Sequence, residues 1–247
     1  KIVIIAFLIS IIVTVFGVLL VRVIIPEAKY YNAGNCVKNK QYLDAIVIYE
    51  NLGDYKDSAD KIIFTRYLQA SSHLEEKEYQ NAYDIFSLIK DYKDSEIKYQ
   101  VSGYEYAQAL MAKKNYQKAI NVLNSIGNYE NSSALKNQCY LDGAKQFYAN
   151  KEYYPAICWY EKVESYDKKA KFYVDSCYKY GVQQINIGNY SVALSYLANA
   201  SKHKGVKEQI MIAKYGYVKA NENNNDTTTF KYLKELKAAG YKDSAKI

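Results

Sequence analysis

Tyr42-Leu-Asp-Ala45-Ile-Val-Ile-Tyr49 decides the reading of this chain, because it returns four times. The copies are Tyr79-Gln-Asn-Ala82-Tyr-Asp-Ile-Phe86, Tyr116-Gln-Lys-Ala119-Ile-Asn-Val-Leu123, Tyr153-Tyr-Pro-Ala156-Ile-Cys-Trp-Tyr160 and Tyr190-Ser-Val-Ala193-Leu-Ser-Tyr-Leu197, each 37 residues after the last. A fixed period of this length is the mark of a repeat architecture. Within each copy the tyrosine, the alanine and the final large residue stand at i, i+3 and i+7, along one face of a helix. The alanine lets a neighbouring helix approach, and the large residues fill the space on either side.

Working outward, Ala33, Ala70, Ala107, Ala144 and Gly181 recur at the same period upstream and give a preceding helix its own small contact. Two helices joined by a short turn cannot bury both faces alone, so successive hairpins must stack. The reading predicts helix pairs near residues 28–53, 58–90, 95–126, 132–164 and 168–201, with strands essentially absent. The links also repeat: Leu52-Gly-Asp-Tyr-Lys-Asp-Ser58, Ile89-Lys-Asp-Tyr-Lys-Asp-Ser95, Ile126-Gly-Asn-Tyr-Glu-Asn-Ser132 and a decayed Val163-Glu-Ser-Tyr-Asp-Lys-Lys169. Gly53 and Gly127 suit a left-handed exit from a helix. Asp57, Ser58, Asp94, Ser95, Asn131 and Ser132 are expected to cap the next helix. Asp54, Asp57 and Asp60 do not have the alternating spacing of a calcium loop.

These hairpins resemble the tetratricopeptide repeat, with its small residue on the first helix, its Tyr-x-x-Ala on the second and an aromatic four residues after that alanine. The match covers about Ala28 to Lys207. The period exceeds that family's usual 34 residues, and the proline common near its repeat end is missing. The resemblance implies an all-α fold: a right-handed superhelical array of tetratricopeptide-like hairpins. A sixth copy is damaged: Thr227 falls in the tyrosine slot, Phe230 in the alanine slot, and Gly240-Tyr-Lys-Asp-Ser244 returns one residue late. Residues 26–207 are thus expected to hold five repeats. Residues 208–247 are expected to hold a degenerate sixth repeat and the start of a further repeat or cap.

Ahead of the array, Ile2–Val21 carries no charge. As a helix of about 30 Å it matches the hydrocarbon core of a bilayer. The run exceeds the apolar stretch of a secretory signal, and Arg22-Val-Ile-Ile-Pro26 offers no convincing cleavage site. Residues 1–25 are read as one N-terminal transmembrane helix, with Pro26 marking a helix start or a kink. The span followed by Tyr-Lys-Asp-Ser repeats is similar to a group of bacterial membrane proteins that also carry a small zinc ribbon, which is not present here. That resemblance implies a single-pass protein of the cell membrane with extracytoplasmic repeats.

Composition narrows the function. Of 247 residues, 29 are tyrosine, against 7 phenylalanine, 1 tryptophan and 2 proline, which fits helices with many half-wet aromatic positions. The net charge of +7 comes from 33 basic and 26 acidic residues that are interspersed, not gathered into the basic stripe of a nucleic-acid reader. Cys36, Cys139, Cys158 and Cys177 form no CxxC pair, and His73 and His203 lie far apart, so no zinc pattern is seen and no metal or cofactor is expected. No HExxH, Gly-x-Ser-x-Gly or phosphate-binding loop occurs.

The reading is therefore a non-enzymatic, membrane-anchored scaffold for a protein partner or extended peptide. The alternative is a receptor-like binder of cell-wall glycan or peptide. The candidate binding residues are Tyr30, Tyr67, Tyr104, Tyr178 and Tyr215, with Leu141 in the fourth slot. They stand three residues before the small position of each first helix. In the resembling family that slot faces a concave groove, and its rings would offer aromatic faces and hydroxyls.

Overall fold

The computed structural model describes residues 2–224 and 226–247, and no strand occurs among the described residues. The apolar run forms α1 (Ile2–Leu19), followed by a single π turn (Leu20–Ile24) and then α2 (Ile25–Lys38). Pro26 is the second residue of α2. A proline there cannot donate to the carbonyl four residues back and its ring would press on it. The π turn, closed by the Ile25 amide on the Leu20 carbonyl, widens the backbone just before that point. The apolar segment thus runs by helical backbone into the first repeat. Its described side chains are exposed, and the helix is long and apolar enough to cross a membrane.

Six helical hairpins follow among the described residues. They pair α2 with α3 (Tyr42–Leu52), α4 (Ser58–Glu75) with α5 (Tyr79–Ser87), and α6 (Ser95–Ala112) with α7 (Tyr116–Ser125). Then come α8 (Ser132–Ala149) with α9 (Tyr153–Tyr160), α10 (Lys171–Asn186) with α11 (Tyr190–Asn199), and α12 (Val206–Ala220) with α13 (Thr227–Ala238). They fall in two compact units. One runs to Lys113 and includes Asn121–Ser132; the other holds Lys114–Ile120 and the chain from Ser133 onward.

The repeat columns become the core. Ala45, Ala82, Ala119, Ala156 and Ala193 are fully buried, as are Ala33, Ala70, Ala107 and Ala144. Tyr49, Phe86, Leu123, Tyr160 and Leu197 are buried beside them. The tyrosines that open each second helix, Tyr42, Tyr79, Tyr116, Tyr153 and Tyr190, are only half-buried. Leucine at Ala119 would overfill a close-packed position, and Ala119→Leu should cost about 1–3 kcal/mol in denaturant unfolding. A change of a few tenths would show that the column is not tightly packed.

A further buried column is not evident from hydrophobicity: Thr65, Ser102, Cys139, Ser176 and Ala213 all have no exposure. The hydroxyls are satisfied inside their own helices, Thr65 on the Lys61 carbonyl at 2.6 Å, Ser102 on Lys98 at 2.7 Å and Ser176 on Phe172 at 2.8 Å. Cys139 fills the same slot, and all four cysteines are unpaired.

Four of the first helices end alike. The Gln41 amide donates to the Cys36 carbonyl and the Lys40 amide to Val37, the paired bonds of a Schellman turn. The same pair recurs at Glu78 and Lys77, at Glu152 and Lys151, and at Asn189 and Gly188. Lys40, Lys77, Lys114 and Lys151 take positive φ of 58–64°, where Gly188 has 80°.

The sixth hairpin forms in a shifted register. Asp226 caps α13, accepting the Thr229 amide at 2.8 Å, and buried Thr229 fills the small position. Phe230, which the 37-residue frame puts there, is 58% exposed. A ring does not fit a close helix contact, so the helix begins where its cap places a smaller side chain inside.

Candidate binding surface

The link motif and the tyrosine ridge turn out to be parts of one device. In the first hairpin the Tyr30 hydroxyl donates to Asp57. Its ring meets the edges of Tyr49 and Tyr55, at centroid distances of 5.6 and 6.3 Å, and the Lys56 ammonium lies 4.9 Å from its centre. In the second, Tyr67 donates to Asp94 at 2.8 Å and meets Phe86 and Tyr92, with Lys93 at 4.9 Å from the ring. In the sixth, Tyr215 donates to Asp243 at 2.5 Å and meets Tyr241, with Lys242 at 4.7 Å. Each loop thus clasps the ridge tyrosine of its own hairpin with an aromatic edge, a cation over the ring and a carboxylate on the hydroxyl. The loop lysines reach this place from a positive φ at Lys56, Lys93 and Lys242, and Glu130 shares that backbone conformation.

Variants follow the sequence. Tyr104 meets Tyr129 at 5.9 Å, but Glu130 and Asn131 replace the lysine and aspartate of its loop. His203 stands where the loop tyrosine falls and stacks on Tyr178 at 3.6 Å. All five ridge tyrosines are half-buried. Tyr30, Tyr67 and Tyr104 belong to one unit, and Tyr178 and Tyr215 to the other.

The clasp corrects the capping expectation. Asp57 and Asp94 do stand at the N-cap positions, but neither side chain caps its helix. Their backbone is not extended, with ψ of 31° and 19°, and their carboxylates face the tyrosine hydroxyls. Ser58 and Ser132 donate back to the carbonyls of Tyr55 and Tyr129 and are buried.

The hydroxyl bonds hold Asp57, Asp94 and Asp243 below the usual carboxylate range, and the Asp57 carboxylate pushes Tyr30 up to about 12. A carboxylate depressed on folding contributes stability above its unfolded value, near pH 4, and that contribution is lost as the pH falls through the folded value. A tyrosine raised on folding contributes below about pH 10, and this is lost as the pH rises towards 12. Thermal melting of a Tyr30→Phe, Tyr67→Phe, Tyr215→Phe triple variant should therefore fall less steeply than wild type below pH 4 and above pH 10. Parallel pH profiles for the two proteins would mean the clasps carry no such linkage.

Beside the first clasp, α2 and α4 frame an open groove of about 410 Å³. Tyr30, Tyr31 and Phe64 give it apolar walls, and Asn35, Lys38 and Lys61 give it polar edges. Tyr31 is 69% exposed, the freest ring in this wall. At one end Glu27 pairs with Lys56 at 2.5 Å and accepts from Tyr55 at 2.7 Å, which together hold its carboxyl below the usual range. The groove holds one ridge residue, Tyr30, and Tyr31 was not among the residues expected from the sequence. Its exposed neighbour position could have been found by following α2 one residue past the ridge.

A second constellation was missed. At the turn between α4 and α5, the donor atoms of His73, Glu76 and Glu78 all lie within 4.8 Å of one another. His203 is far from His73 in the chain, and the partners of His73 are its own near neighbours. The local pattern His73-x-x-Glu76-x-Glu78 was the available signal.

With its columns of buried alanines and paired helices, the chain is a tetratricopeptide-like helical-repeat protein. No protein-family model and no curated protein matches it. Among solved structures it is similar to a TPR repeats protein from Bacteroides fragilis NCTC 9343, at 17% identity and a TM-score of 0.34, over 87% of this chain and 98% of that one. It is also similar to the TPR domain of P58(IPK), at 16% identity and a TM-score of 0.30, over 90% and 68% of the two chains. The apo form of RapI gives 14% identity and a TM-score of 0.24, over 85% and 75%.

Proposed function

We propose that the chain is a non-enzymatic scaffold, anchored in a bacterial cell membrane by its apolar helix, that binds a protein or extended peptide outside the cytoplasm. The observation that carries the binding reading is the groove between α2 and α4. It combines the exposed ring of Tyr31 and the wall of Phe64 with Asn35, Lys38 and Lys61, the mix of apolar surface and a few polar groups that binding clefts use. Anchoring is supported by the uncharged run of Ile2–Val21 and by its exposure. The orientation rests on the resemblance to membrane proteins with external Tyr-Lys-Asp-Ser repeats.

A second reading, a glycan ligand, is favoured by the same groove, because rings flanked by amide, carboxylate and ammonium groups also suit sugars. A photo-crosslinking residue at Tyr31 and another at Gln80, on the exposed side of α5, separate these readings in the full chain. Protein adducts from position 31 and none from position 80 support the scaffold. Loss of those adducts on adding wall glycan fragments supports the second reading, and equal labelling from both positions refutes the groove.

The anchor has its own test. Removing residues 1–25 should release the chain from membranes and leave a soluble, helical domain that unfolds cooperatively. Loss of cooperative unfolding would mean that the apolar run belongs to the core.

A further inference from the structure

We propose that His73, Glu76 and Glu78 form a binding site for a divalent transition-metal ion of the zinc class. The turn itself builds the site. Its paired bonds, Glu78 amide to His73 carbonyl at 2.8 Å and Lys77 amide to Leu74 carbonyl at 3.1 Å, put side chains five residues apart face to face. At the equivalent turn of the fifth hairpin the two side chains are Gln184 and Asn189, and they share a neutral hydrogen bond of 3.1 Å. At the second hairpin they are an imidazole and a carboxylate, with His73 Nδ1 2.7 Å from Glu78 Oε2. Glu76, two residues before Glu78, adds the third donor.

The carboxylates are held from outside the trio. The Asn81 amide donates to Glu78 at 3.0 Å, and the Ser72 hydroxyl donates to Glu76 at 2.9 Å. Such bonds orient ligands and leave their other lone pairs for an ion. Bonds of about 2.0–2.2 Å to nitrogen and oxygen bring tetrahedral donors to roughly 3.3 Å from one another. The donors already lie within 4.8 Å of one another, so an adjustment of about 1.5 Å at most brings them to that spacing. An open cavity of about 430 Å³, lined by Asp44, Ser72, His73 and Glu76, adjoins the trio and leaves room for water on the remaining coordination positions. One imidazole with two carboxylates suits zinc, nickel or copper and disfavours calcium and magnesium, which take oxygen ligands.

Zinc chloride titrated into the detergent-solubilised full chain, followed by calorimetry, tests the site. The expected result is one saturable zinc ion per chain, bound at least about tenfold more weakly by His73→Ala and by Glu76→Gln. Glu76→Gln guards against a folding artefact, since it leaves the His73–Glu78 pair intact. Its melting temperature without metal should equal that of wild type, and zinc should raise the melting temperature of wild type only. Cobalt bound in place of zinc should show no thiolate charge-transfer band. No saturable binding, unchanged affinity in both variants, or a thiolate band from the free cysteines would overturn the proposal.

Discussion

Tyr173→Ala is expected to destabilise the chain by about 3–5 kcal/mol, the range for deleting a buried aromatic ring. Tyr173 is 1% exposed on α10, and its ring lies 5.9 Å from that of Tyr160 and 6.0 Å from that of Tyr166. The truncation leaves a ring-sized cavity among side chains that cannot all collapse into it. It also strips Glu161 of the hydroxyl that donates to it at 2.8 Å. Burial first, and that carboxylate second, push the Tyr173 hydroxyl well above the usual tyrosine range, so it stays a donor at any ordinary pH. Tyr173→Phe separates the two contributions: it keeps the ring and should cost only about 0.5–1.5 kcal/mol. Denaturant unfolding of both variants gives the comparison. A loss of a few tenths of a kcal/mol for the alanine variant would place the ring outside the core.

Phe86→Ala should cost a similar 3–5 kcal/mol or so in the other unit. Phe86 is fully buried on α5 and receives the edge of Tyr67 at 6.2 Å. It therefore supports both the helix contact and the clasp. The repeat supplies an internal control, because the same column holds Leu123 and Leu197, both buried. Phe86→Leu should accordingly cost less than about 1.5 kcal/mol. Hydrogen exchange should locate the damage of Phe86→Ala in α4, α5 and α6, since a repeat depends mainly on its neighbours. Equal costs for leucine and alanine would mean that the site is filled by something other than the ring.

The sequence made the array legible because side chains at a fixed period report directly on helix contacts. Ala45, Ala82, Ala119, Ala156 and Ala193 repeat because nothing larger fits. The hydroxyl column, from Thr65 to Ser176, stayed hidden because serine and threonine read as surface residues until an intrahelical bond makes their burial tolerable. The left-handed turns at Lys40, Lys77, Lys114 and Lys151 also gave no signal. Lysine has no preference for that conformation, and the Schellman hydrogen bonds impose it. Of the link motif, the repetition was plain and the role was not. Asp57 and Asp94 occupy cap positions, yet their carboxylates turn to Tyr30 and Tyr67, residues 27 positions upstream that local patterns do not connect. The groove needed two first helices placed side by side before Tyr31 and Phe64 could be seen to share it.

Hydrogen-exchange mass spectrometry on the intact, detergent-solubilised chain tests the hairpin array most directly. Protected segments should come in pairs, the first and second helix of each hairpin. Fast-exchanging turns near residues 39–41, 76–78, 113–115, 150–152 and 187–189 should interrupt them at the 37-residue interval. Protection that ignores this interval, or that spans those turns without a break, would contradict the array.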